Sequence, residues 1–144
     1  METLDGWEKL LQSQGYRLTR SRRMLLNALL EKTDWTSASA LHQDLCQRHP
    51  QIIFSTVYRN LEKLTALGLL CRIDRENMGL FEYRLNDTPE HHHHHLICRY
   101  CGKVEALHFC PLEQKSPQTF MDYSELECRF EVYGRCRDCS EDDD

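Results

Sequence analysis

Five consecutive histidines, His91-His92-His93-His94-His95, run through Leu96-Ile97 into Cys98-Arg99-Tyr100-Cys101-Gly102. Imidazole and thiolate are both ligands for borderline and soft divalent metals. On an extended strand, alternate side chains face opposite ways. His93 and His95 then share one face, and His92 and His94 the other. One short segment can thus feed two metal sites, and Cys98 with Cys101 can feed a third. A purification tag does not fit an internal run that continues into Leu-Ile-Cys. A solvated polar loop leaves the Cys-x-x-Cys and its downstream twin unexplained.

That twin is Cys136-Arg137-Asp138-Cys139, separated from Cys101 by 34 residues. Two Cys-x-x-Cys clips supply the four thiolates of a closed, structural tetrahedral zinc site. The competing readings are a disulfide framework and two separate redox clips. A second constellation joins His93 and His95 to Cys71 and Glu82, and a third joins His92 and His94 to Glu113 and Cys128. Taken singly, Cys71 reads equally as a small core residue, Glu82 as a surface carboxylate and Cys128 as a buried free thiol. Cys46 and Cys110 are left as structural or free thiols. His42, His49 and His108 read as surface residues, His108 lying nearest the sites.

The elements that must position these ligands fit one ordinary domain or two small ones in 144 residues. No apolar run is long enough to span a membrane, and no signal-peptide pattern opens the chain. The expectation is therefore a cytoplasmic protein, where eight cysteines favour metal ligation over disulfides. The net charge of −5 hides an asymmetry: residues 1–75 hold 11 Lys and Arg against 8 Asp and Glu, residues 76–144 hold 7 against 15. The positive half concentrates its charge in Arg17, Arg20, Arg22 and Arg23, a local patch of the kind that binds nucleic acid.

The spacing predicts a helix from Trp7 to Gln14, closed by Gly15. A second helix is capped by Thr19, with Met24, Leu25, Ala28 and Leu29 inward. Asp34-Trp35-Thr36 is a break. A third helix, capped by Ser37, ends before Pro50. A fourth, capped by Ser55 and ended by Gly68, buries Val57, Leu61 and Leu64. Strands over Leu69–Asp74 and Leu80–Leu85 join through a turn at Glu76–Gly79. Three helices with a reading helix last, followed by a hairpin, make a winged helix-turn-helix. Arg17, Arg20, Arg22, Ser55, Thr56, Tyr58 and Arg59 are the candidate contacts to double-stranded DNA. An ordinary amphipathic helix with a solvated face is the alternative for the fourth helix alone.

Beyond a turn-rich connector, the histidine strand pairs with Lys103–His108. A helix follows from Pro111 to about Met121, then a third strand over Leu126–Tyr133. The fold class is α+β: a winged helix-turn-helix over residues 1–85, a hinge at 86–90, and a small α/β domain with a three-stranded sheet over 91–140. An acidic, disordered tail closes the chain at 141–144.

The chain resembles the ferric uptake regulator family of bacterial metal-dependent transcription factors. The resemblance rests on Arg17-Leu18-Thr19, Ser55-Thr56-Val57-Tyr58-Arg59 with Leu61, Gly68-Leu69-Leu70, Phe81-Glu82, His91–Cys101 with Gly102-Lys103-Val104, and Tyr133-Gly134 before the last Cys-x-x-Cys. It implies a homodimer that binds operator DNA, with Arg17 at the minor groove and Tyr58 and Arg59 in the major groove. It also implies a structural zinc on Cys98, Cys101, Cys136 and Cys139 and a regulatory site including Glu82, His93 and His95. A further site near the dimer interface would take His92, His94 and Glu113.

Several positions depart from the family pattern. Trp35 stands where iron and peroxide sensors place a histidine, and Cys128 where another histidine is common. Arg20 replaces a usual proline, and the connector Asp87–Glu90 is four residues longer. Thiolates favour zinc over iron(II) or manganese. The expectation is a zinc-responsive regulator of the zinc uptake branch, carrying structural and regulatory zinc, with no membrane partner and no enzymatic activity. The alternatives are an iron- or manganese-dependent regulator or peroxide sensor of the same family, a zinc enzyme, and a purely structural zinc module.

Overall fold

The computed structural model describes residues 3–75, 79–87, 92–110, 112, 122–126 and 128–141. The chain divides into two compact units, Met1–Glu90 and His91–Asp144.

The first unit is built from four helices, α1 (Leu4–Ser13), α2 (Arg20–Leu30), α3 (Ala38–Arg48) and α4 (Phe54–Ala66). The chain leaves α1 through Gly15, whose φ of +79° an L side chain rarely adopts. Thr19 caps α2, its hydroxyl accepting from Arg22 N at 3.4 Å, and Ser37 caps α3, accepting from Ala40 N at 3.1 Å. Leu25, Leu26, Ala28 and Leu29 of α2 pack with Leu41 and Leu45 of α3 and Val57, Leu61 and Leu64 of α4. Each fully buried leucine contributes about 1.5–3 kcal/mol.

The fourth helix departs from expectation at its start. Its first residue is Phe54, and the N-cap is Ile53, which offers no side-chain bond. Ser55 therefore sits in the first turn and does not cap. The Ile53 carbonyl takes the opening bonds from Thr56 N and Val57 N.

Antiparallel strands β2 (Leu70–Asp74) and β3 (Phe81–Leu85) follow, and the break before α3 holds a two-residue strand, β1 (Thr36–Ser37), paired to β3. The sheet order is β1-β3-β2. Of the expected turn, Gly79 is described, with φ +74°; Glu76 to Met78 lie outside the described residues. Asn86, read as connector, is buried, its side chain donating to Gly68 O at 2.9 Å.

The second unit holds β4 (His94–Cys98), β5 (Val104–Leu107), β6 (Glu131–Gly134) and α5 (Arg137–Glu141) in the sheet order β5-β4-β6. β4 and β5 are antiparallel, with His95 opposite Ala106. β6 runs parallel to β4, starting at His95 opposite Glu131. The last strand is thus shorter than the expected Leu126–Tyr133. Its ladder begins at Glu131, one residue from the start of β4. Leu126 is 49% exposed. The helix expected from Pro111 to Met121, and with it Glu113, lies outside the described residues, as does the tail beyond Glu141. No helix among the described residues is long and apolar enough to cross a membrane.

Candidate metal centres and helix surface

Cys98 ends β4, Cys101 lies in the turn to β5, and Cys136 and Cys139 flank the first turn of α5. The four sulfurs lie within 4.8 Å of one another. Cys98 to Cys139 is 4.0 Å and Cys101 to Cys136 is 3.6 Å. A zinc–thiolate bond of about 2.3 Å places tetrahedral sulfurs about 3.8 Å apart, so the donor set fits that ion. Backbone N–H groups of Cys101 and Cys136 hold the Cys98 thiol down to about 6, while the hydrogen bond with Cys136 pushes Cys139 up to about 12. Four thiols this close ionise together only around a cation.

The histidine run separates as strand alternation predicts. The His92 and His94 rings lie 4.5 Å apart, with their Nε2 atoms at 2.9 Å; His93 and His95 lie 4.9 Å apart. His94 is buried against Phe130 at 4.0 Å between ring centroids. Burial, with His93 and His94 beside it, lowers His95 to about 4, so its imidazole is neutral at neutral pH and needs to lose no proton to bind a metal. His108, just beyond the end of β5, sits 6.3 Å from His93 between ring centroids.

In the first unit, Cys71 pairs with Arg84 and Ile73 with Glu82, so Cys71 and Glu82 share one face of β2–β3 as diagonal neighbours. Burial pushes the Cys71 thiol up to about 12. Glu82 is ion-paired to Arg75, a bond that any metal taking Glu82 must displace.

Of the candidate DNA contacts, Arg17, Arg20, Ser55, Tyr58 and Arg59 are exposed and Thr56 is half-buried. Arg59 donates Nε to Ser55 O at 3.3 Å, a bond that lays the guanidinium along the helix. Arg22 is different. It donates Nε to Asn60 Oδ1 at 3.2 Å and Nη1 to Arg17 O at 2.8 Å. Its guanidinium is a brace tying α2, α4 and the Arg17 segment together.

Residues 13–133 match the ferric uptake regulator family. The chain belongs to that family. Its members are metal-responsive, DNA-binding transcription regulators that act as dimers, and are not enzymes. The ferric uptake regulation protein of Staphylococcus epidermidis is 34% identical over 131 residues, covering 91% of this chain and 92% of that protein. The peroxide-responsive repressor PerR of Staphylococcus saprophyticus is 28% identical over 134 residues, covering 91% and 87%. A solved zinc uptake regulator complexed with zinc and DNA shares the fold with a TM-score of 0.73 at 25% identity, covering 97% of this chain and 94% of that one.

In this ferric uptake regulator family chain, sequence reasoning missed Cys110. The structure brings it within 4.8 Å of the ligand atoms of His92 and His94. Burial, and then a hydrogen bond with Cys110, raises the thiol of Cys128, so Cys128 adjoins the same set. Strand parity hid Cys110. Counted along β5 it falls on the His93 face, but β5 ends at Leu107 and the chain turns before reaching it.

Proposed function

We propose that this chain is a zinc-responsive regulator that binds operator DNA as a homodimer and controls zinc homeostasis genes. The observation that carries the metal choice is the set of His92, His94 and Cys110 with Cys128 beside it. Two imidazoles and two thiolates suit zinc and disfavour iron(II) and manganese, which prefer oxygen-rich shells. The four-cysteine cluster is the structural zinc site. The regulatory ligands are Cys71, Glu82, His93 and His95.

Residues 1–85 are then a winged helix-turn-helix with α4 as the reading helix and β2–β3 as the wing, and residues 91–140 dimerise. Arg17, Arg20, Ser55, Thr56, Tyr58 and Arg59 face DNA, with Arg22 bracing Arg17. Because the regulatory ligands come from both units, metal and DNA affinities are coupled, and the coupling is reciprocal. A metal bound there would supply the cross-link, and Cys71 would supply the one thiolate that favours zinc over its competitors. The solved zinc uptake regulator bound to zinc and DNA supports this reading.

An iron- or manganese-dependent regulator is the second reading, favoured by the 34% identity to a ferric uptake regulation protein. Binding to a Fur-type inverted repeat, titrated against buffered zinc, iron(II) and manganese(II) without oxygen, separates the two. Zinc alone should switch binding on at very low free concentration. Cys71→Ser should blunt the response, and Cys110→Ser should lower zinc occupancy beyond the four-cysteine site. A full response to iron or manganese in both variants overturns the zinc reading.

A further inference from the structure

The reading helix leads with apolar rings where a merely solvated helix carries charge. Ile53 is 60% exposed, Phe54 43% and Tyr58 40%. Phe54 and Tyr58, one turn apart, stack with ring centroids at 6.2 Å and planes inclined by 24°. His42 of α3 meets Phe54 edge-on at 5.7 Å. The same His42 is fixed in turn, its Nε2 3.1 Å from Ile52 O and 3.2 Å from Cys46 Sγ. Phe54 is thus clamped from two sides while keeping nearly half its surface in water.

Leaving an aromatic ring in water forgoes favourable burial. A pair of rings is too small a patch for a stable protein interface. Beside the two rings, the exposed polar side chains of the same helix are Ser55 and Arg59, in a unit whose positive charge is concentrated at Arg17–Arg23. Basic groups around an apolar pair match a polyanion that itself carries apolar groups. Duplex DNA offers such a group in the major groove, the 5-methyl of thymine. Its stacked bases present only edges there, so a ring can meet the methyl but cannot intercalate without unstacking.

We propose that Phe54, held by His42 and stacked on Tyr58, is a sequence-discriminating residue that packs against a thymine 5-methyl in each half-site. Ser55, released from capping, stays available to the DNA backbone beside it. The inference rests on the DNA-binding reading above and adds a specificity determinant that Arg59 cannot supply.

The test uses full-length, zinc-loaded protein and a Fur-type inverted-repeat duplex in which each thymine is replaced in turn by deoxyuridine, which pairs identically but lacks the methyl. A single replacement at the contacted position of either half-site should weaken wild-type binding about 3- to 5-fold, the worth of one buried methyl group. Phe54→Ala, which removes both contacts of the dimer, should bind the thymine duplex about 10- to 25-fold more weakly and be indifferent to that replacement, with an unchanged salt dependence. Phe54→Leu, which keeps an apolar side chain and the fold, should retain part of the discrimination. The proposal is overturned if the wild type binds tightly yet responds to no replacement, or if Phe54→Ala or Phe54→Leu discriminates as fully as the wild type. Failure of the wild type to bind any duplex overturns the DNA-binding reading itself, and this inference with it.

Discussion

The two units are held together by different physics. The first has a continuous apolar core running from Trp7 and Leu11 through Leu25, Leu26, Leu29, Leu41, Leu61 and Leu64 to Leu69 and Tyr83. In the second, the buried apolar residues among those described are Ile97, Cys98 and Cys110, with His94 the buried polar one. Three of those four are metal-ligand types. So few buried apolar residues among those described do not by burial alone offset the chain entropy of ordering them. On the proposed reading thiolates gathered around an ion would make up the difference, and metal affinity would become folding free energy.

The largest effect that would break this contrast is removal of the structural ion. Stripping zinc with a strong chelator, or Cys136→Ser, should unfold the second unit, since zinc contributes on the order of 10 kcal/mol in small zinc-dependent domains. Circular dichroism should show the helices of the first unit surviving. Calorimetry should show one transition that depends on zinc and one that does not. A single transition, shifted whole by the chelator, would mean that the first unit also depends on the metal.

The converse lesion lies in the first core. Leu61 is wholly buried, and Leu61→Ala should cost about 2–5 kcal/mol through lost transfer energy and the cavity left behind. Bound zinc per chain should stay at the wild-type value, as metal analysis would check. Loss of zinc together with first-unit stability would erase the distinction.

How much of this was legible follows the same division. The caps Thr19 and Ser37 and the inward faces of α2 to α4 were readable, because hydroxyl spacing and the helical period are local signals. The four cysteines were readable because two clips with two-residue spacers admit few other uses. The misses come where a partner distant in sequence decides. β1 is two residues long and exists only through its pairing with β3. The last strand is cut short by where β4 begins. Cys110 reaches the histidines only after β5 has ended. Ser55 lost its capping role because Phe54, with His42 and Tyr58 as ring partners, joined the helix ahead of it.

Arg22 sharpens the comparison, because it stitches the first unit with polar bonds where the second uses thiols. Its bond to Asn60 Oδ1 is partly buried, while its bond to Arg17 O is exposed. Arg22→Ala should cost about 1.5–3 kcal/mol, the range for hydrogen bonds to a charged group, and fall at its lower end because one of the two bonds is exposed. A double-mutant cycle with Asn60→Ala should show clear coupling. In DNA binding, Arg22→Ala combined with Arg17→Ala should be no worse than Arg17→Ala alone, because the brace acts through Arg17. Additive losses, each lowering the salt dependence, would make Arg22 a phosphate contact in its own right.

The smallest expected effects lie at the helix caps and test whether geometry or residue type sets their worth. Ser37 accepts from Ala40 N at 3.1 Å, whereas Thr19 accepts from Arg22 N at 3.4 Å and shares its hydroxyl with Ser21 Oγ at 3.3 Å. Ser37→Ala should cost about 1 kcal/mol, and Thr19→Ala roughly half of that, measured as shifts in the zinc-independent transition. Ser37 also pairs with Glu82 as the end of β1. Ser37→Gly therefore separates its two roles. A cap tolerates glycine at a cost of only a few tenths of a kcal/mol, but a strand residue replaced by glycine loses about 0.5–1 kcal/mol in chain entropy. A loss for Ser37→Gly as large as that for Ser37→Ala would show that the strand, not the cap, is what Ser37 holds in place.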